Sequence, residues 1–124
     1  MRFYEVVECS ATLRSTTSRL AKIAALAELL VAAPPPLVPL AVSYLSGELP
    51  QGKIGVGYSL VHGVEVPPAP KPTLTLADID HTFTDLAAVS GAGSQARRRQ
   101  LLTDLMEKAT GTEQSLLRGL SLIH

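Results

Sequence analysis

The residues best suited to chemistry lie in Ser90-Gly91-Ala92-Gly93-Ser94-Gln95-Ala96-Arg97-Arg98-Arg99. Two glycines let a backbone approach a ligand closely, and Ser94 is placed to cap a helix whose free amides favour an anion. Arginines one turn further on can clamp the same phosphate or its neighbour. The same residues also fit a plain helix start with a solvated arginine face, and spacing alone does not choose between the two. A second cluster, Thr16-Thr17-Ser18-Arg19 with Lys22, repeats the design of hydroxyls and amides at a helix start with cations nearby. Two such clusters in one short chain point to phosphate contacts with a nucleic-acid backbone, which are made this way.

Other candidate chemistry is thin. His62, His81 and His124 have no metal-ligand spacing with one another or with Cys9, so no zinc site is expected. His81 follows Asp78 and Asp80, but acidic residues in a first helical turn are ordinary complements to the helix dipole. Lys53-Ile54-Gly55-Val56-Gly57 lacks the Gly-Lys-Ser/Thr that leads a phosphate loop into its helix. No nucleophile, base and orienting group come together in the sequence, so no catalytic residue is assigned.

These clusters have to be positioned by helices. Phe3, Val6 and Val7 recur at helical spacing toward Leu13. Thr16 or Thr17 is expected to cap a second helix, with Leu20, Ile23, Ala24, Ala27 and Leu30 as its buried stripe. Pro34 to Pro36 end that helix, and a third is expected over Leu37 to Leu45 with Pro39 in its first turn. Gly47 to Val66 reads as loop, with at most one short hairpin or turn. Pro67, Pro68, Pro70 and Pro72 make an extended connector between two helical halves. Thr75 with Asp78 opens a helix that runs through Ala88. Ser94 starts the next, with Ala96, Leu101, Leu102, Leu105 and Met106 as its apolar face. Gly111 is expected to stop it, and Thr112 to cap a last helix through Leu122.

At 124 residues and 46% hydrophobic content, with no Trp, the chain suits one all-α domain, a compact multi-helix bundle filled by small aliphatic side chains. The formal net charge is zero, so attraction to a polyanion has to come from local Lys and Arg clusters. The prolines that break Leu29 to Val42 exclude a bilayer span there, and no export signal precedes it. The lone Cys9 fits a reducing, cytoplasmic setting.

The chain resembles the N-terminal DNA-binding domain of ATP-dependent DNA ligases, particularly the actinobacterial and archaeal kind. The resemblance rests on Thr17-Ser18-Arg19-Leu20-Ala21-Lys22-Ile23, Tyr44 to Gly57, Ser90 to Gln95 with its arginines, and Thr112 to Leu120. It implies an all-helical domain on the minor-groove side of nicked double-stranded DNA, serving repair, replication or recombination while other domains seal the nick. Carried over, the implied contacts are Thr17, Arg19, Lys22, Gly93, Ser94, Arg97 and Arg98.

Family members form an enzyme-adenylate on a Lys-x-Asp-Gly lysine, and this motif does not occur in the 124 residues. The resemblance therefore implies no cofactor in this chain, with ATP and Mg belonging to the full-length family. It also implies further helices beyond Ser121-Leu122-Ile123-His124, so the bundle is expected to be incomplete at its C-terminus. Leu116, Leu117, Leu120, Leu122 and Ile123 would then be exposed and favour fraying or self-association. Rival readings are a helical protein-interaction module that kept the fold and lost DNA binding, or a non-functional remnant of a ligase gene.

Overall fold

A computed structural model describes residues 1–122. Seven α-helices follow one another in it: α1 (Phe3–Ser15), α2 (Arg19–Ala32), α3 (Val38–Ser46), α4 (Tyr58–Gly63), α5 (Leu76–Ala88), α6 (Ser94–Glu107) and α7 (Gly111–Ser121). A single 3-10 turn, Pro35–Leu37, leads into α3. Among the described residues there is no strand; one isolated antiparallel bridge joins Arg2 to Thr75. The bundle is all-α, as its helical periodicities imply.

Local chemistry explains most helix starts. Thr75 Oγ1 accepts the Asp78 amide at 3.2 Å, and the Asp78 carboxylate accepts the Thr75 amide at 2.9 Å. This reciprocal box satisfies two otherwise orphaned donors. Thr110 and Glu113 build the same box on α7. The cap is therefore Thr110, two residues before the expected Thr112. α6 ends at Glu107, so Gly111 begins α7 and does not stop α6. A Thr-x-x-Glu pair outranks a nearby glycine as a start signal because it bonds both amides.

The N-terminus is tied to the segment that leads into α5. Phe3 donates its amide to the Leu74 carbonyl at 2.8 Å, and Leu76 donates to Met1 at 3.1 Å. Phe3, Tyr44 and Phe83 then stack edge to face, with centroids 5.9 and 6.4 Å apart. Three of the five aromatic side chains thus link α1, α3 and α5 at the centre of the core. Core residues from both sides of the proline segment form one cluster. The segment itself is held: Ala69 donates to the Ala109 carbonyl at 2.8 Å, and Gln114 Nε2 donates to Met106 and Val66 carbonyls.

Four further expectations are corrected. The stretch Gly47 to Val66 holds no hairpin; it contains α4, whose Leu60 and Val61 are buried. Its glycines masked a six-residue helix too short to show periodicity. In α6, Ala96 is exposed, and the buried face starts at Leu102. In α7, Leu117 and Leu120 are buried within the chain, while Leu116 and Leu122 are half-buried. The surface expected to fray or self-associate is largely covered by α1 and α4. Ile123 lies outside the described residues.

The fourth correction is the largest. Leu20, Ile23, Ala24, Ala27 and Leu30 face outward, with Leu20 80% and Val31 87% exposed. The face packed on α1 is Ala25, Leu26, Leu29 and Ala33, with Cys9 Sγ within 3.7 Å of the Ala25 carbonyl. α2 is apolar nearly all round, and such a helix has no single stripe for periodicity to find.

Candidate nucleic-acid interface

The two sequence clusters fold into different devices. At the α1–α2 turn the cap is Ser18, not Thr16 or Thr17. Ser18 Oγ accepts the Ala21 amide at 3.2 Å, and Thr16 Oγ1 accepts the Ser18 amide at 3.1 Å. Those hydroxyls are spent inside the chain. Thr17 and Arg19 are exposed, and Lys22 is half-buried beside the inward face of α2.

α6 begins otherwise. Its N-cap is Gly93, one residue before the expected Ser94, and no side chain caps it. Gly91 and Gly93 both take left-handed backbone (φ +84 and +77), which favours glycine, and the space where a Cβ would stand is open at each. The amide of Ser94 is bonded to the Gly91 carbonyl and that of Arg97 to Gly93. The Gln95 and Ala96 amides lie between them in the first turn, where a helix has no carbonyl of its own to offer. Arg97 and Arg99 are exposed.

Arg98 has a different part from the one its neighbours suggest. Its Nη2 donates to the Val89 carbonyl at 2.7 Å, and its guanidinium lies against Gly55. A Cβ on Gly55 would stand 2.8 Å from Arg98 Nε, and Gly55 is left-handed at φ +76. Ile54 and Val56 on either side are buried and anchor the loop. Arg98 thus fastens the Gly52–Gly57 loop to the α5–α6 connection. The Arg98 Nε stays enclosed without an acceptor.

The consequence is a junction that the sequence does not show. Gly57, a second glycine N-cap without a side-chain bond, starts α4. The Arg99 guanidinium reaches to 3.6 Å of the Cβ position at Gly63, where α4 ends. Through Arg98 at Gly55 and Arg99 at Gly63, α6 is therefore joined to the loop before α4 and to the end of α4, with Lys53 exposed in that loop. Thr17, Arg19 and Lys22 stand apart on the α1–α2 turn, and no hydrogen bond or ion pair among the described residues links them to α6. A separation of 43 positions between Gly55 and Arg98 hides their contact; a glycine flanked by two β-branched residues is the only local hint.

The histidine and cysteine positions carry other roles. Asp78 is committed to its cap, and His81 Nε2 stands 3.5 Å from Asp85; among the described residues no Lys or Arg lies within 4.0 Å of a carboxylate. The arginines of α6 are thus not neutralised by carboxylates. Burial, reinforced by the nearby Glu28 charge, pushes the Cys9 thiol up. Burial also pushes the Tyr44 hydroxyl up, with Asp80 adding to it. Both groups stay neutral packing elements. Among the described residues no helix is long and apolar enough to cross a membrane.

A family profile for the DNA ligase N terminus matches residues 63–120. Over 117 residues the chain is 51% identical to a probable DNA ligase of Nocardia farcinica, covering 94% of this chain and 22% of that protein. It is 47% identical over 120 residues to a probable DNA ligase of Mycolicibacterium gilvum, covering 97% and 23%. It is 44% identical over 119 residues to DNA ligase B of Mycobacterium tuberculosis, covering 94% and 23%. The chain is an N-terminal DNA ligase domain. It spans less than a quarter of the length of these relatives.

Proposed function

We propose that this domain binds double-stranded DNA through its phosphate backbone, on the minor-groove side and without base preference. On this reading it holds nicked duplex for an ATP-dependent ligase acting in cytoplasmic DNA repair, replication or recombination. The observation that carries it is the start of α6. A fourteen-residue helix opens on two bare left-handed glycines, with no side-chain cap and with unneutralised Arg97 and Arg99 one turn on. Helix-start amides and arginines are what phosphate contacts use. Gly93, Ser94 and Arg97 make the primary contact, and Arg98 holds the loop that completes it. Thr17, Arg19 and Lys22 supply a weaker, separate contact. ATP and Mg serve the whole ligase and are assigned to no residue of this chain.

Fluorescence anisotropy with labelled duplexes tests this. Unrelated sequences are expected to bind with similar affinity, and Arg97→Ala to weaken all of them alike. Binding confined to one sequence, or unaffected by Arg97→Ala, contradicts it.

A second reading is a helical protein-interaction module. It is favoured by one observation, the exposed apolar face of α2 from Leu20 to Val31. Sedimentation distinguishes self-association on this face from association through α7: Leu20→Ser disrupts the first and leaves the second.

A further inference from the structure

Tyr58 and His62 stand one turn apart on α4 with their rings in tilted contact, centroids 4.1 Å apart and planes 39° from parallel. Tyr58 still leaves 70% of its surface in water. Only five aromatic side chains exist in the chain, and three fill the core. This one is held against His62, with most of the ring open. The cations are close by along the same elements. Arg99 reaches the end of α4 at Gly63, and exposed Lys53 lies in the loop that Arg98 pins at Gly55.

We propose that Tyr58, backed by His62, is a stacking platform for an unpaired nucleobase at the edge of a bound duplex. An open aromatic face accepts any base, because every base has a π-face, and arginine beside it neutralises the adjoining phosphate. Here Arg99 lies at the other end of α4, by Gly63, one short helix away from the ring. The platform rests on the duplex-backbone reading and extends it to frayed ends, gaps or displaced strands, whose bases are exposed. Inside a continuous duplex each base is stacked between its neighbours and leaves Tyr58 no free face.

The test uses the full chain with two probes, a blunt duplex and the same duplex carrying a short unpaired tail that contains 2-aminopurine. The tail is expected to tighten binding roughly tenfold and to quench the 2-aminopurine. Tyr58→Ala removes both effects and Tyr58→Phe keeps both, while neither changes blunt-duplex affinity. Arg97→Ala weakens the two probes alike. If the tail gives no gain and no quenching, or if Tyr58→Ala keeps the gain, the platform is overturned while duplex binding stands. If neither probe binds, the duplex reading falls and the platform with it. Far-ultraviolet circular dichroism establishes that each variant is folded.

Discussion

The α1–α2 turn and the start of α6 look alike in sequence, each a run of small or hydroxyl residues followed by cations, yet they fold to opposite ends. At the first, Ser18 and Thr16 turn their hydroxyls back on the chain and satisfy the helix amides internally. At the second, Gly93 has no side chain with which to do so. A side-chain cap stabilises a helix by consuming the same donors that an anion would use. Whether a helix start is structural or binding therefore turns on one atom type at the N-cap, a difference that counting cations does not reveal.

That contrast can be broken or sharpened by substitution. The largest effect on the binding region is expected at its hidden support. Gly55→Ala places a methyl against the Arg98 guanidinium on a left-handed backbone. It is expected to cost about 1–3 kcal/mol of stability, read by urea denaturation. Duplex affinity should fall with it, since the Arg98 to Val89 bond has to shift. An unperturbed variant would show that Gly55 and Arg98 do not depend on one another.

At the α1–α2 turn, Ser18→Ala should cost about 1 kcal/mol through the lost cap. It should leave duplex affinity unchanged, because Ser18 spends its oxygen on Ala21. A drop in affinity larger than the loss of folded protein would make this turn a primary contact after all.

The smallest effect belongs to the outward face of α2. Leu20→Ala is expected to change stability by less than about 0.5 kcal/mol, as an exposed substitution should. Leu29→Ala, on the buried face, should cost about 2–5 kcal/mol. Equal costs for the two would mean that the apolar stripe from Leu20 to Leu30 is packed, as its periodicity alone suggests.

Much of the fold was legible because it is written locally. The Thr75 and Asp78 box, the proline break after α2 and the spacing of Phe3, Val6 and Val7 each need only neighbouring residues to read. The failures have local causes too. α2 offers two apolar faces, and only contact with α1 selects Ala25, Leu26 and Leu29. α4 is too short for a period. Thr110 was hidden by Gly111, which suggests a stop but here opens a helix. At the candidate site, the Ser90 to Arg99 segment and its glycines were legible from composition and order. The division of labour among its arginines was not. Arg97 and Arg99 face solvent, whereas Arg98 closes on a glycine 43 positions away in sequence. The pairing of Tyr58 with His62 was not legible either, because it depends on α4, which is too short to show a period.

Salt dependence of duplex affinity in two double variants tests the central claim most directly. With four or five phosphates engaged, the unsubstituted chain should lose affinity with a log-log slope of about −4. Replacing Arg97 and Arg99 by Ala should bring the slope nearer zero by about 2 and weaken binding strongly at low salt. Replacing Arg19 and Lys22 by Ala should weaken binding less at the same salt, since their helix start is already capped. A slope unchanged by the Arg97 and Arg99 pair, or a larger loss from the Arg19 and Lys22 pair, would contradict the assignment of the α6 start as the DNA-backbone site.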